Sequence, residues 1–293
     1  MVHITEEGKF NDNSYLIDAK IFRLEKHLAV YVIENDGMRM MLDTGVPLET
    51  RKVVKKLKDY GLFPIQKLLL THSHWDHVQA YSKLKKLLGD FETLASENAI
   101  EKLRDPNKIN EFYGYEVEPI LDDVTPLKEG DIIDLNGLQL EIFNFFGHTL
   151  DSIAILDRKN KNIFTGDAII DKYDKDTFHC SYMPSEFSEE ETIKTFQKLR
   201  DLKDQLNSIS LNHYGVWTND DFIQILNEME DLHQKTKQAI KQWYNENPSL
   251  DYIASKYHET FIPNSTIHTK ENLLGLKLIM EWLVEGLRIS GYL

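Results

Sequence analysis

Residues 71–80 read THSHWDHVQA, placing His72, His74, Asp76 and His77 within six positions. Imidazole nitrogens and carboxylate oxygens in this mixture suit zinc, and also iron or manganese. In His72-x-His74 alternate side chains can converge on one cation, while Asp76 and His77 point elsewhere and could hold a second. Three further segments end an apolar run in a residue of the same kind: LEIFNFFGHT in His148, NIFTGD in Asp167 and SISLNHYG in His213. A carboxylate has two oxygens, so Asp167 can bridge two cations and reduce their mutual repulsion. Gly147 and Gly166 stand just before two of these residues, where the chain must turn sharply.

The elements that would position these residues are legible around them. Short β-rich runs (SYLIDA, KIFRL, LAVYVIE, MRMMLD) fill the first 45 residues, with Asn35-Asp36-Gly37 as a hairpin turn. An amphipathic helix is expected within residues 44–61, stopped by Gly61. KLLLT reads as a strand buried on both faces that delivers the chain into His72. Helical spacing follows in VQAYSKLKKLLG and again at 96–103, and residues 104–120 read as a long loop. Strands resume at LQLEIFNF, SIAILD and NIFTG, and Ser188 with Glu191 forms a capping box that opens a helix. SISLN is one more strand. From Asn219 strands disappear, and helices are expected over roughly 219–246, 249–258 and 271–288. The expected organisation is thus a layered sheet domain over 1–218 and a helical region over 219–293.

Composition bounds the function. The chain has 293 residues, 41% of them hydrophobic, which is ordinary for a folded globular protein. With 34 Lys and Arg against 48 Asp and Glu, the net charge of −14 disfavours a phosphate backbone as partner, so nucleic acid is not expected. Cys180 is the single cysteine, which leaves no internal disulfide and no cysteine-rich zinc site. The start, MVHITEEGKFNDNSY, has neither a basic nor an apolar run, and no apolar stretch approaches the roughly 20 residues of a membrane span. A cytoplasmic protein without membrane contact is the expectation.

The segment His72-Ser73-His74-Trp75-Asp76-His77, followed in order by His148, Asp167 and His213, resembles the metallo-β-lactamase superfamily with its HxHxDH signature. Leu42-Asp43-Thr44-Gly45 is similar to that family's early Asp-x-Gly strand end, and the likeness runs from about residue 20 to 215. The resemblance implies an α+β fold, a four-layer αββα sandwich here carrying a C-terminal helical extension. It implies one metal on His72, His74 and His148, a second on Asp76, His77 and His213, and Asp167 between them. Asp43 would support the site from behind by orienting an imidazole. Two departures stand out. Val78-Gln79-Ala80 replaces a frequent Gly-Gly, and Asn212 precedes the last histidine where glycine is frequent.

The function so implied is that of a metallohydrolase, with two Zn2+ per chain, or Fe or Mn in their place. A metal-bound hydroxide would attack a small ester, thioester, lactone, amide or phosphodiester, with Asp76 as the catalytic carboxylate. The alternative on the same scaffold is an iron persulfide-dioxygenase-like oxidoreductase using His72, His148 and Asp167. A structural metal site in a binding protein fits poorly, because structural zinc sites are closed four-ligand sites. The helical tail could cover the site or form a homodimer surface, with Trp243, Tyr244, Trp282 and Leu283 as contacts for either, but burial of these residues within the chain is the simpler reading. Among the remaining histidines only His179 is placed near a pocket. Tyr173, Tyr182 and Tyr214 are candidates to reach a substrate oxygen, and the FYGY run at 112–115 is a candidate lid.

Overall fold

The structure, a computed structural model, describes residues 2–293, with side chains from His3 onward. Two seven-stranded sheets face each other. One runs in the order 8–9, 14–18, 29–35, 38–42, 67–70, 92–96, 124–127, and its last four strands are parallel. The other runs 2–4, 215–218, 208–211, 162–164, 153–157, 138–144, 132–135.

Side-chain alternation along the strands explains the layering. In Ala29–Asn35, Ala29, Tyr31 and Ile33 pack into the core between the sheets, whereas Val30 and Val32 pack outward under helices. Ile153–Asp157 does the same, with Ile153 and Ile155 inward and Ala154 and Leu156 outward. A strand apolar on both faces must be covered on both, so each sheet carries helices on its outer face. Helix Thr50–Asp59 buries Val53, Val54 and Leu57, and helix Glu189–Leu202 buries Phe196 and Leu199. Ser188 caps the latter, its hydroxyl accepting from the Glu191 amide as the capping-box spacing predicts.

The C-terminal helices are Asn219–Glu246, Leu250–Phe261 and Leu274–Ile289, close to expectation. Phe222, Ile225, Tyr257, Leu276, Met280 and Leu283 are buried in the same apolar cluster as residues of the sheet region, so the helices share its core. Trp243, Trp282 and Leu283 pack within the chain. Among the described residues no helix is long and apolar enough to cross a membrane.

Several local expectations differ from the structure. KIFRL is no strand: Lys20, Phe22 and Arg23 have positive φ, and only an isolated Ile21–Leu24 bridge remains. Residues 104–120 are not a plain loop, because they hold the short helix Asn107–Asn110 and the turn Glu111–Tyr113. A two-stranded ribbon, Ile170–Lys172 with Phe178–Cys180, stands apart from both sheets.

Candidate metal centre

All seven candidate ligands meet at one edge of the sandwich. His72 and His74 follow strand Lys67–Leu70 directly, and Asp76 and His77 lie on the single helical turn Trp75–Val78. His148 follows strand Leu138–Asn144, Asp167 follows Asn162–Phe164, and His213 sits in the turn between Ser208–Leu211 and Gly215–Thr218. Strand ends are where a regular scaffold releases its backbone and can aim side chains at a common point. Gly147 makes one such turn possible: its φ is +140°, and a Cβ there would lie 2.7 Å from the Thr192 Cα.

Two groups have ligand atoms close enough for a metal ion: His72, His74 and His148, and Asp76, His77, Asp167 and His213. His74 Nδ1 lies 2.8 Å from His148 Nε2, a spacing at which two imidazole nitrogens need a proton or a cation between them. Asp167 Oδ2 is 3.0 Å from His77 Nε2, 3.3 Å from His213 Nε2, 3.8 Å from His72 Nε2 and 3.9 Å from His148 Nε2. One oxygen thus stands between both groups. Asp76 Oδ2 is 3.2 Å from His213 Nε2.

The far sides of the imidazoles are fixed by the protein. His77 Nδ1 meets Asp43 Oδ2 at 2.9 Å, His148 Nδ1 meets the Ser181 carbonyl at 2.9 Å, and His213 Nδ1 meets the His27 carbonyl at 2.6 Å. Each contact leaves Nε2 facing the cluster. Asp43 itself accepts from the Thr71 amide and hydroxyl, both at 2.7 Å, and from Asn212 Nδ2 at 2.5 Å. The departure at Asn212 therefore does more than change a turn: its buried amide ties the His213 turn to Asp43.

The electrostatics centre on a cluster of opposed buried charges. Burial opposes ionisation of Asp76 and Asp167, but His77 and His213 outweigh it and hold both carboxyls well below their usual range. Burial likewise disfavours the charged forms of His77 and His213, and neighbouring carboxylates, Asp167 foremost, reverse this and raise both well above the ordinary value. His72 and His74 are lowered well below it by burial, then by His77 and His148 respectively. Among the described residues, His72 Nε2 and Asp167 Oδ1 are buried with no hydrogen-bond partner, one in each group. Buried polar atoms without partners are costly, and a cation in each group would satisfy them. The donor set fits zinc or iron.

A cavity opens beside the cluster. His74, Asp76, His148, Asp167 and His213 form one side of it. His179 lines it as expected, and so do His27 and His268, for which no pocket position is expected from the sequence. Tyr173 reaches it, whereas Tyr182 bonds Thr236 and Tyr214 donates to the Thr5 carbonyl, outside it. Tyr113 from FYGY lines the cavity and donates to the Pro184 carbonyl at 2.5 Å. From the tail, the last helix contributes Gly275, Leu278, Ile279 and Trp282.

Residues 28–208 match the metallo-beta-lactamase superfamily, and the chain belongs to that family. It is 31% identical over 123 residues to the hydroxyacylglutathione hydrolase GloC of Haemophilus influenzae, covering 41% of this chain and 57% of that one. It is 24% identical over 186 residues to the human acyl-coenzyme A thioesterase MBLAC2, covering 55% and 64%. The chain thus spans about three fifths of the length of these curated relatives. The crystal structure of the metallo-beta-lactamase family protein TTHA1429 from Thermus thermophilus superposes with a TM-score of 0.67 at 17% identity, covering 96% of this chain and 95% of that one. The fold is the metallo-β-lactamase fold with a C-terminal helical part.

Proposed function

We propose that the protein is a hydrolase of acyl thioesters or esters that works with two divalent cations, zinc in the first instance. His72, His74 and His148 would hold one cation, Asp76, His77 and His213 the other, and Asp167 would lie between them. The observation that carries this reading is the convergence of seven ligand residues into two adjacent groups sharing the Asp167 oxygen. A single-iron oxygenase would need only three of them. The two curated relatives are named for acyl groups carried on a thiol, which supports a thioester ahead of a lactone, amide or phosphodiester.

When bound, the cations lower the pKa of a water and polarise the carbonyl oxygen of the acyl group. The protein's own residues do the rest. Asp76, the most exposed of the seven, faces the cavity and can take a proton and return it to the departing thiol or alcohol. Asp43, Ser181 and His27 hold the imidazoles of His77, His148 and His213 in fixed orientation. The wall formed by the last helix excludes water from one side of the reacting group.

The test is elemental analysis of chain purified without chelator, together with a panel of acyl thioesters and esters assayed before and after metal removal. Close to two zinc ions per chain and a hydrolysis lost on chelation and restored by zinc are expected. One iron per chain, with oxygen consumed in the presence of a persulfide, would overturn it.

A further inference from the structure

The cavity beside the metal centre carries a recognition feature that hydrolysis alone does not use. The ribbon Ile170–Lys172 with Phe178–Cys180 pairs Asp171 directly with His179, and both side chains line the cavity. Cross-strand partners share a face, so the ribbon forms a small polar floor. His179 is 1% exposed, yet neither of its ring nitrogens has a hydrogen-bond partner. His27 Nε2, also lining the cavity, is likewise without one. The Tyr173 ring lies 5.4 Å and the His268 ring 5.2 Å from the His179 ring, so both neighbours meet it as rings.

The rest of the cavity wall is apolar. Ile21, Phe22 and Leu24 come from one side and Leu278, Ile279 and Trp282 from the other. Among the described residues no lysine or arginine lines the cavity, and burial pushes the Asp171 carboxyl up to about 8, so it adds little negative charge at pH 7. An anionic group would find no counter-charge away from the candidate metal site and would lose its hydration against an apolar wall. Burial holds His179 well below the ordinary histidine value, so it is neutral at pH 7 and presents one N–H donor and one acceptor. Among the described residues it joins no group of ligand atoms tight enough for a cation, which separates it from the two candidate metal groups.

We propose that this cavity is the acyl subsite, selective for an uncharged, mainly apolar acyl group that bears one hydrogen-bonding oxygen, a carbonyl or hydroxyl, which His179 binds at the floor. The inference rests on the hydrolase reading above. A charged carrier, if the substrate has one, would then stay outside the cavity while the acyl chain enters it.

The test uses the zinc-loaded full chain and three 4-nitrophenyl esters of matched length: hexanoate, 5-oxohexanoate and the mono-ester of adipate. The 5-oxohexanoate is expected to exceed hexanoate in kcat/KM at least tenfold and the adipate ester to fall at least tenfold below hexanoate. In His179→Leu, and in His179→Phe as a second variant, the 5-oxo advantage should shrink to within threefold. Equal rates for hexanoate and 5-oxohexanoate in the unaltered chain would overturn the proposal even if neither variant folds. So would an advantage that survives both substitutions. The free acids hexanoate and 5-oxohexanoate, titrated against tryptophan fluorescence, separate the two readings. If no ester is hydrolysed but 5-oxohexanoate binds at least tenfold tighter and loses this in His179→Leu, the hydrolase reading fails and the subsite stands. Hydrolysis without any such preference leaves the hydrolase and removes the subsite.

Discussion

Asp43 Oδ2 lies 2.9 Å from His77 Nδ1 and 2.5 Å from Asn212 Nδ2, although Asp43 and Asn212 end two different strands and His77 lies on a helical turn. A single buried carboxylate therefore sets the orientation of one candidate ligand and anchors the turn that carries another. Its remaining hydrogen bonds go to the Thr71 amide and hydroxyl, immediately before His72. Asp43→Asn keeps the shape but removes an acceptor and the charge that favours the Nδ1–H tautomer. The expected result is zinc affinity lower by about 10- to 100-fold with the fold retained. Competition with a chromophoric chelator measures it; unchanged affinity would show that His77 needs no such support.

Truncation after residue 218 bears on what the tail does. If the tail were only a cover, its removal would leave a folded protein without turnover. The apolar faces of the three last helices, however, are buried in the same cluster as the sheet region, and the Thr236 hydroxyl is hydrogen-bonded to both Tyr182 and Cys180. Removing residues 219–293 is expected to yield an aggregated chain with no cooperative thermal transition, measured by calorimetry and by light scattering. A soluble, cooperatively folding 1–218 fragment would instead make the tail an independent accessory.

The candidate site was legible because buried strands leave a strong mark, an apolar run, and each segment of candidate ligands begins just beyond one. KLLLT before His72 and SISL before His213 are such cases. What escaped reading was short, half-exposed or defined by distance in space. Strands Glu92–Ser96 and Ile132–Leu135 carry charged, exposed residues that break the apolar signal. KIFRL alternates like a strand, yet Ile21, Phe22 and Leu24 turn toward the cavity through left-handed backbone. His27 and His268 had no local signal, since the cavity unites them with His179 only after the tail has packed. The His213 to His27 contact alone spans 186 residues of sequence.

His3 gives the stability of the fold a pH dependence of known sign. Its ring stacks on Trp217 at 3.7 Å, and burial pushes its pKa down to about 4, partly offset by the Tyr214 carbonyl. The folded value lies below the ordinary 6.5, so the folded chain binds fewer protons than the unfolded one between these values. This contribution is intact above about pH 6.5 and is lost as pH falls toward 4. Urea unfolding of the unaltered chain and His3→Phe at pH 7 and pH 4.5 isolates it. The stability difference should move in favour of His3→Phe by on the order of 1 kcal/mol at the lower pH. An equal difference at both values would mean that His3 titrates alike folded and unfolded.

Gly286 tests whether the last helix sets the shape of the cavity. A Cβ at this position would lie 2.3 Å from the Tyr182 carbonyl oxygen and 2.7 Å from its carbon, so the helix rests on the backbone of 182–183 without a side chain between. Met183 and Trp282 flank that contact and both line the cavity. Backbone cannot yield as a flexible side chain would, so Gly286→Ala must displace the helix as a body. The expected cost is about 1–3 kcal/mol of stability, read from urea unfolding, since overpacked sites cost that much. The same displacement widens the cavity between Trp282 and the ribbon. The ratio of kcat/KM for 4-nitrophenyl esters of long and short acyl chains should therefore rise, while metal content stays unchanged because no ligand is on this helix. A destabilised variant with an unaltered chain-length profile would show that the helix covers the core without shaping the acyl site.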